Sequence, residues 1–320
     1  MDDAALPPVG AQATVRVAAA TLWARPEAVR PVLDDTALAT PTDLAGWVAG
    51  LDAGQRMGDG VLSQLLLGEK VLVQQVRPDG WARVVAVEQP AGRRDPRGYP
   101  GWLPTAHLTP AVDPPRPGGG PLVVAVPVTA LSGAPDGPVV LPGVTLGTRL
   151  TAAGPARRGW RPVHAAGHRE PLWAPVTHLA PLPAAPADPT GPPPDPAGPL
   201  AAAGALAGVP YVWGGLSGHG VDCSGLVHLA WRRFGVRLPR DAADQAEATT
   251  AVPLGTETPG DLYVFARPDR PIHHIGIVSA AARPGRPRRM LHACYTRGLV
   301  LEEELPPERT ATLVGVRRVG

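Results

Sequence analysis

Two cysteines and nine histidines stand in a chain of 320 residues, and the pattern of apolar residues around them decides which can do chemistry. Cys223 follows a Gly-rich stretch, Tyr211 to Gly220 (YVWGGLSGHG), and opens a run in which Leu226, Val227, Ala230, Trp231 and Phe234 recur at helical spacing. Gly235 supplies the stop. A cysteine in the first turn of a helix meets unpaired backbone N–H groups and the positive end of the helix dipole, and both favour thiolate over thiol. The same N–H groups can receive the charge that develops on a carbonyl oxygen under attack, so one element offers nucleophile and oxyanion hole together. In Ile272 to Val278 (IHHIGIV), alternation puts His274, Gly276 and Val278 on one face of a strand and His273, Ile275 and Ile277 on the other. With the isoleucines in the core, His274 shares its face with a glycine, which leaves room for a substrate or a thiol. Met290 to Tyr295 (MLHACY) presents His292 and Cys294 on one face of a second strand, where His292 can bond the His274 imidazole and fix its tautomer. The chain has no asparagine, so a thiol–imidazole–amide triad is impossible and the third member has to be His292 or a carboxylate. Zinc on Cys223, His274 and His292 is the competing chemistry, but no water-activating carboxylate or local ligand spacing accompanies them.

The elements that must hold these residues are constrained by composition. Pro and Gly number 42 and 38, or 80 of 320 residues, which favours short strands and turns over long helices. The 44% of hydrophobic residues still suffices for packed cores. Formal charge is +2, and the basic residues are almost all arginines scattered without clustered aromatics, so nucleic-acid binding is not expected. Met1 to Gly10 (MDDAALPPVG) is acidic and Pro-rich, and no apolar run is long enough for a signal core or a membrane span. The expectation is a cytoplasmic, monomeric protein with no membrane partner. Two cysteines make no disulfide framework.

Proline-rich stretches at 110–121 and 181–199 cut the chain into three blocks, and the second stretch is expected to be extended polyproline II. The first two blocks repeat one unit. Gly80-Trp81 is followed by Trp102-Leu103-Pro104-Thr105-Ala106-His107-Leu108, and Gly159-Trp160 by Trp173-Ala174-Pro175-Val176-Thr177-His178-Leu179. Val-rich runs between turn residues, such as Lys70 to Gln75, Ala82 to Val87 and Leu122 to Val128, read as the strands of small barrels. Pro41 to Leu67 has near-helical apolar spacing and is expected to add one or two helices. In the third block a helix over 200–207 precedes the Cys223 helix, and strands are expected over 261–266, 272–279, 289–296 and 311–319, an α+β arrangement. His107, His164, His168 and His178 fall in the first two blocks as packing or surface residues.

The first two blocks resemble bacterial SH3-type domains, on Gly68-Glu69-Lys70-Val71, the Gly-Trp hairpins and the Gly101-Trp102-Leu103-Pro104 strand. The third resembles the NlpC-type papain-like peptidases that cleave bacterial cell-wall peptides. Its matching residues are Gly208-Val209-Pro210-Tyr211-Val212-Trp213-Gly214-Gly215, Asp222-Cys223-Ser224-Gly225, Leu238-Pro239-Arg240-Asp241, His274-Ile275-Gly276-Ile277 and Leu291-His292-Ala293. Resemblance implies Cys223 as nucleophile, His274 as base and then acid, His292 as orienting residue and Tyr211 beside the oxyanion. Within that family the chain resembles the γ-D-glutamyl-L-diamino-acid endopeptidases, dipeptidyl-peptidase VI-like enzymes in which two SH3-type domains precede the peptidase.

That narrower resemblance implies that Glu69 and Tyr99 of the first unit hold the free amino group of an amino-terminal L-alanine, with Asp222 as a second carboxylate. Arg240 is expected to take the D-glutamate carboxylate, while Ser224 and Trp213 shape the pocket. Asp241 is expected as a helix N-cap or substrate residue, and His273 as a packing or substrate residue. Ala242 stands where relatives often carry a hydroxyl. The implied organisation is an SH3-type barrel over 11–109 with its helical insertion at about 41–67, a second barrel over 121–182, a linker over 183–199 and a papain-like peptidase over 200–320. Its implied substrate is a free murein peptide, L-Ala-γ-D-Glu-diamino acid, with no metal or organic cofactor. The rival expectations are an exported enzyme acting on intact peptidoglycan and a non-catalytic wall-fragment-binding protein.

Overall fold

Apolar residues at helical spacing after Cys223 fold as the helix Cys223–Arg232, all ten residues of which are buried. In this computed structural model, residues 8–111, 120–183, 195–283 and 286–320 are described. Only the two ends of the expected linker fall among them, and the downstream end enters a helix, Ala197–Gly204, three residues earlier than the sequence pattern suggests. Ile275, Ile277, Leu291 and Ala293 share one core cluster with Leu226, Val227, Leu229 and Ala230, so the helix packs on an antiparallel sheet as an α+β arrangement requires. That sheet runs in the order Thr250–Val252, Leu313–Arg318, Leu262–Ala266, Ile272–Ala280, Arg289–Cys294 and Leu299–Glu304.

Two further sheets of seven strands precede it. The first runs Val61–Leu66, Ala19–Trp23, Tyr99–Pro104, Trp81–Ala86, Lys70–Val76, Gln12–Val15 and Leu108–Pro110. The second repeats that order strand for strand, from Val139–Thr145 through Val128–Ser132, Leu172–Pro175, Trp160–His164, Arg149–Ala152 and Pro121–Val124 to Leu179–Pro181. The repeated Trp-x-Pro…His-Leu segments occupy equivalent places, each with a 3₁₀ turn, Thr105–His107 or Val176–His178, before its last strand. The internal repeat is therefore a repeat of topology. Closed barrels are not formed among the described residues, because the first and last strands of each order are not paired.

The edge strand Val61–Leu66 turns instead to the Cys223 block. Leu216 N donates to Gln64 Oε1 at 2.9 Å. Gly214 (φ +74) lies so close that a Cβ there would come within 2.8 Å of the Val61 carbonyl. Of the helices expected over 41–67, Leu44–Gly50 forms and buries Leu44, Trp47 and Val48, but Val61–Leu66 is a strand. Its apolar residues lie on both faces, a burial pattern that periodicity alone does not separate from a helix. Among the described residues no helix is long and apolar enough to cross a membrane.

Candidate active site

Asp222 starts the helix Cys223–Arg232. Its backbone is extended, and its carboxylate accepts from Gly225 N at 2.7 Å and from Gly214 N at 2.9 Å. Arg240 holds both carboxylate oxygens, and Ser224 Oγ donates to Oδ1 at 3.2 Å. Cys223 is thereby fixed in the first turn, on the wall of a cleft of about 950 Å³.

The thiol is buried beside the backbone N–H groups of Ser224 and Ile275, the latter one residue past His274. These donors and the Arg240 charge favour a thiolate, the helix-start N–H being the one the sequence suggested. They are outweighed: burial, reinforced by the Asp222 charge, pushes the thiol up to about 12. At rest Cys223 is a neutral thiol, not the ionised sulfur expected from helix position alone, so an attack by this sulfur requires a group that takes its proton.

His274, the chain neighbour of Ile275, offers an acceptor for that proton. His274 Nε2 is 2.8 Å from His292 Nδ1, and His292 Nε2 is 3.0 Å from Glu303 Oε1. A carboxylate only accepts, so His292 carries its proton on Nε2 and offers Nδ1 as acceptor. His274 must then donate from Nε2, which leaves Nδ1 as an unprotonated lone pair. That Nδ1 is buried with no hydrogen-bond partner among the described residues. Burial, with the neighbouring His292 and Arg309, holds His274 well below the ordinary imidazole range, and burial takes His292 down to about 3. Both rings are therefore neutral at neutral pH.

Gly276 has a different task from the one its position suggested. A Cβ there would lie 2.8 Å from Met290 Sδ and 3.0 Å from His292 Cβ. The missing side chain makes room for the second histidine, not for substrate or thiol. Glu303 escaped the sequence reading because it is the middle member of Glu302-Glu303-Glu304. The strand register that faces it towards Met290, diagonal to His292, is what singles it out.

Around the thiol the cleft is lined by Tyr211, Trp213, Ser224, Asp222, Tyr99, Asp241 and His273, all expected site residues, and by Tyr295, which was not. The Tyr211 and Tyr295 rings are 6.5 Å apart, and Tyr295 and His274 are also 6.5 Å apart, which links thiol wall to imidazole. Burial and the neighbouring Cys223 push the Tyr211 phenol up, so it stays a neutral donor. Trp213 is 45% exposed and presents its ring as cleft wall. Tyr99 OH donates to Asp241 Oδ1 at 3.0 Å, and Arg94 Nε approaches Oδ2 at 2.9 Å while its guanidinium lies 4.7 Å from the Tyr99 ring centroid. Asp241 precedes the helix Ala242–Glu247, but its side chain makes no capping bond; it ties that helix to the first sheet.

Two expected substrate residues lie elsewhere. Glu69 is 1% exposed and does not line the cleft. The turn at Gly68 sends it towards the far end of the helix Cys223–Arg232, where it faces Arg232 Nη2 at 3.1 Å and accepts from Gln89 Nε2 at 3.1 Å. Burial pushes its carboxyl up against the opposing Arg232 charge. Arg240, also 1% exposed, has every donor engaged, by Asp222, Ser224, Ser63 and the Gly215 carbonyl. It positions Asp222 and has no arm left for a substrate carboxylate.

The geometry agrees with the relationships of the chain. Residues 208–312 match the NlpC/P60 family. Over 290 residues, 88% of this chain and 90% of the relative, it is 31% identical to a gamma-D-glutamyl-L-lysine dipeptidyl-peptidase of Bacillus subtilis. A protein of the same name from Bacillus cereus is 29% identical over 279 residues, 83% of this chain and 80% of the relative. The crystal structure of an NlpC/P60 family protein from Bacillus cereus has the same fold, with a TM-score of 0.82 at 24% identity over 96% of this chain and 99% of that one. A buried thiol at a helix start, a histidine relay on the adjoining strands and this kinship converge: the chain belongs to the NlpC/P60 family and is a cysteine peptidase.

Proposed function

We propose that this peptidase hydrolyses the bond between γ-D-glutamate and an L-diamino acid in free murein peptides that begin with L-alanine, releasing the dipeptide. One observation carries the reading: the cleft that holds Cys223 is walled by Tyr99 of the first sheet, bonded to Asp241. A cleft completed by an amino-terminal sheet suits a short peptide whose ammonium group needs acceptors to leave water; the Asp241 carboxylate beside Tyr99 offers them, whereas Asp222 is already filled by Arg240, Ser224 and two backbone N–H groups. The names of the Bacillus relatives point to the same bond.

In the reaction, Cys223 Sγ attacks the γ-glutamyl carbonyl while its proton passes to His274 Nδ1. Tyr211 and the N–H groups at the helix start face the oxyanion. The C–N bond breaks as His274 returns the proton to the leaving amine, and water then cleaves the thioester with His274 again as base. His292 holds the His274 tautomer, and Trp213 and Ser224 shape the pocket around the glutamyl unit. The two repeated sheets, over 11–109 and 121–182, are read as SH3-type units joined through 183–199 to the peptidase at 200–320. A substrate with a free amino terminus fits cytoplasmic recycling of wall peptides.

Mass-spectrometric digestion of L-Ala-γ-D-Glu-diamino acid peptides, free and N-acetylated, tests this. The free peptides are expected to be cut, the acetylated ones at least about tenfold more slowly, and a Cys223→Ala variant is expected to be inert. Faster digestion of acetylated stems or intact sacculi would favour the wall-remodelling alternative.

A further inference from the structure

The charges on the cleft wall are unevenly satisfied. Arg240 neutralises Asp222, Arg94 faces Asp241 and Arg93 approaches Asp244 at 2.9 Å. Arg267 and Arg270 also line the cleft, yet neither has a carboxylate or hydrogen-bonding partner for its guanidinium among the described residues. Both are exposed. They sit in the short turn between the strands Leu262–Ala266 and Ile272–Ala280, closed by a bond from Arg270 N to the Arg267 carbonyl, with Asp269 at φ +55. The turn thus brings to the cleft two guanidiniums without carboxylate partners among the described residues.

Its place in the chain says which part of a substrate they meet. The turn runs directly into His273, also on the cleft wall, and His274. In the proposed reaction His274 protonates the leaving amine, so the leaving amino acid has to lie beside this hairpin. Burial and the charges of Arg267 and Arg309 keep His273 below the usual imidazole range, so at neutral pH it adds no third charge but can still hydrogen-bond. Two planar, permanently charged donors suit carboxylates and repel an ammonium group. A lysine leaving group offers one carboxylate and a side-chain ammonium. A diamino dicarboxylic acid such as diaminopimelate offers two carboxylates, and the second stands on the carbon that bears its side-chain ammonium, so that end is neutral overall where lysine's is cationic.

Resting on the function proposed above, we infer that Arg267 and Arg270 form a carboxylate subsite on the leaving-group side, which selects peptides whose third residue is a diamino dicarboxylic acid over those in which it is lysine. This separates the chain from what the names of its Bacillus relatives state.

The test compares kcat/KM for L-Ala-γ-D-Glu-L-Lys, L-Ala-γ-D-Glu-diaminopimelate and the same peptide amidated on its side-chain carboxyl. The wild type is expected to prefer the dicarboxylate about tenfold or more over lysine, with the amidated peptide between them. In Arg267→Gln/Arg270→Gln that ratio is expected to fall towards one, and in the wild type it is expected to shrink between about 0.05 and 0.5 M salt, because exposed charges are screened. Equal use of the peptides by the wild type, or a preference that survives the double substitution, overturns the subsite and leaves the proposed function standing. Failure to cut any of the three free peptides overturns both.

Discussion

Arg240 grips Asp222 with both arms of its guanidinium, Nη1 to Oδ1 at 2.9 Å and Nη2 to Oδ2 at 2.7 Å, where the arginine is 1% exposed. The pair holds the cap of the catalytic helix and so the direction in which Cys223 points. Removing the arginine leaves a poorly hydrated carboxylate with its strongest partner gone. Arg240→Ala is expected to cost about 3–5 kcal/mol in urea unfolding, the range for breaking one side of a buried ion pair. Arg240→Lys keeps a charge without the fork and should fall between. A loss below about 1 kcal/mol for the alanine variant would contradict this role.

Glu303 fixes the proton order of the histidine relay without standing near the cleft. Glu303→Ala is expected to lower kcat about tenfold to a hundredfold with little change in KM, because it disturbs the base and not the binding surface. Steady-state kinetics on one peptide decide it. An unchanged kcat, or a change confined to KM, goes against the relay.

The resting thiol should behave as a thiol. With Cys223 pushed up to about 12, its thiolate fraction rises tenfold per pH unit across the alkaline range. Alkylation by iodoacetamide, followed by peptide mass mapping, is expected to be slower at pH 7 than for a free cysteine and to keep rising to about pH 10. A plateau near neutral pH would mean that the sulfur is already ionised.

Acid should unfold the protein through its buried histidines. His228 and His292 are held near about 3 by burial, and His107 and His274 are also lowered. In the unfolded chain each binds a proton near ~6.5. The unfolded state therefore binds more protons below that pH, and stability present above ~6.5 drains away as pH falls towards 3, by up to about 1.4 kcal/mol per unit for each histidine. Urea midpoints at pH 7, 6 and 5 should decline accordingly. His228→Leu should make the decline shallower, and a flat profile from pH 7 to 5 would refute the account.

What could be read in the sequence was whatever depends on local pattern. Helical spacing gave the Cys223 element, alternation put His274 and His292 on strands, and the Gly-Trp repeat announced two sheets of one topology. What could not be read depends on direction in space. Gly68-Glu69 looks the same in the chain whether Glu69 faces a cleft or Arg232. Arg240 reads as a free cation until Asp222 occupies it. Three consecutive glutamates give no alternation from which to choose Glu303, and Val61–Leu66 needs a partner strand to reveal itself as an edge.

Arg232, at the last turn of the catalytic helix and 2% exposed, reaches Glu69 and Glu88 in turns that leave strands of the first sheet and the Gly147 carbonyl in a turn of the second. Three segments of the chain thus meet on one guanidinium. A peptidase portion expressed alone would present an unpaired cation on the face that the two sheets now cover, and a chimera with a foreign amino-terminal half would have to re-create that socket. Modular in its repeats, the molecule is indivisible in its chemistry, and it should be inherited, engineered and denatured as one piece.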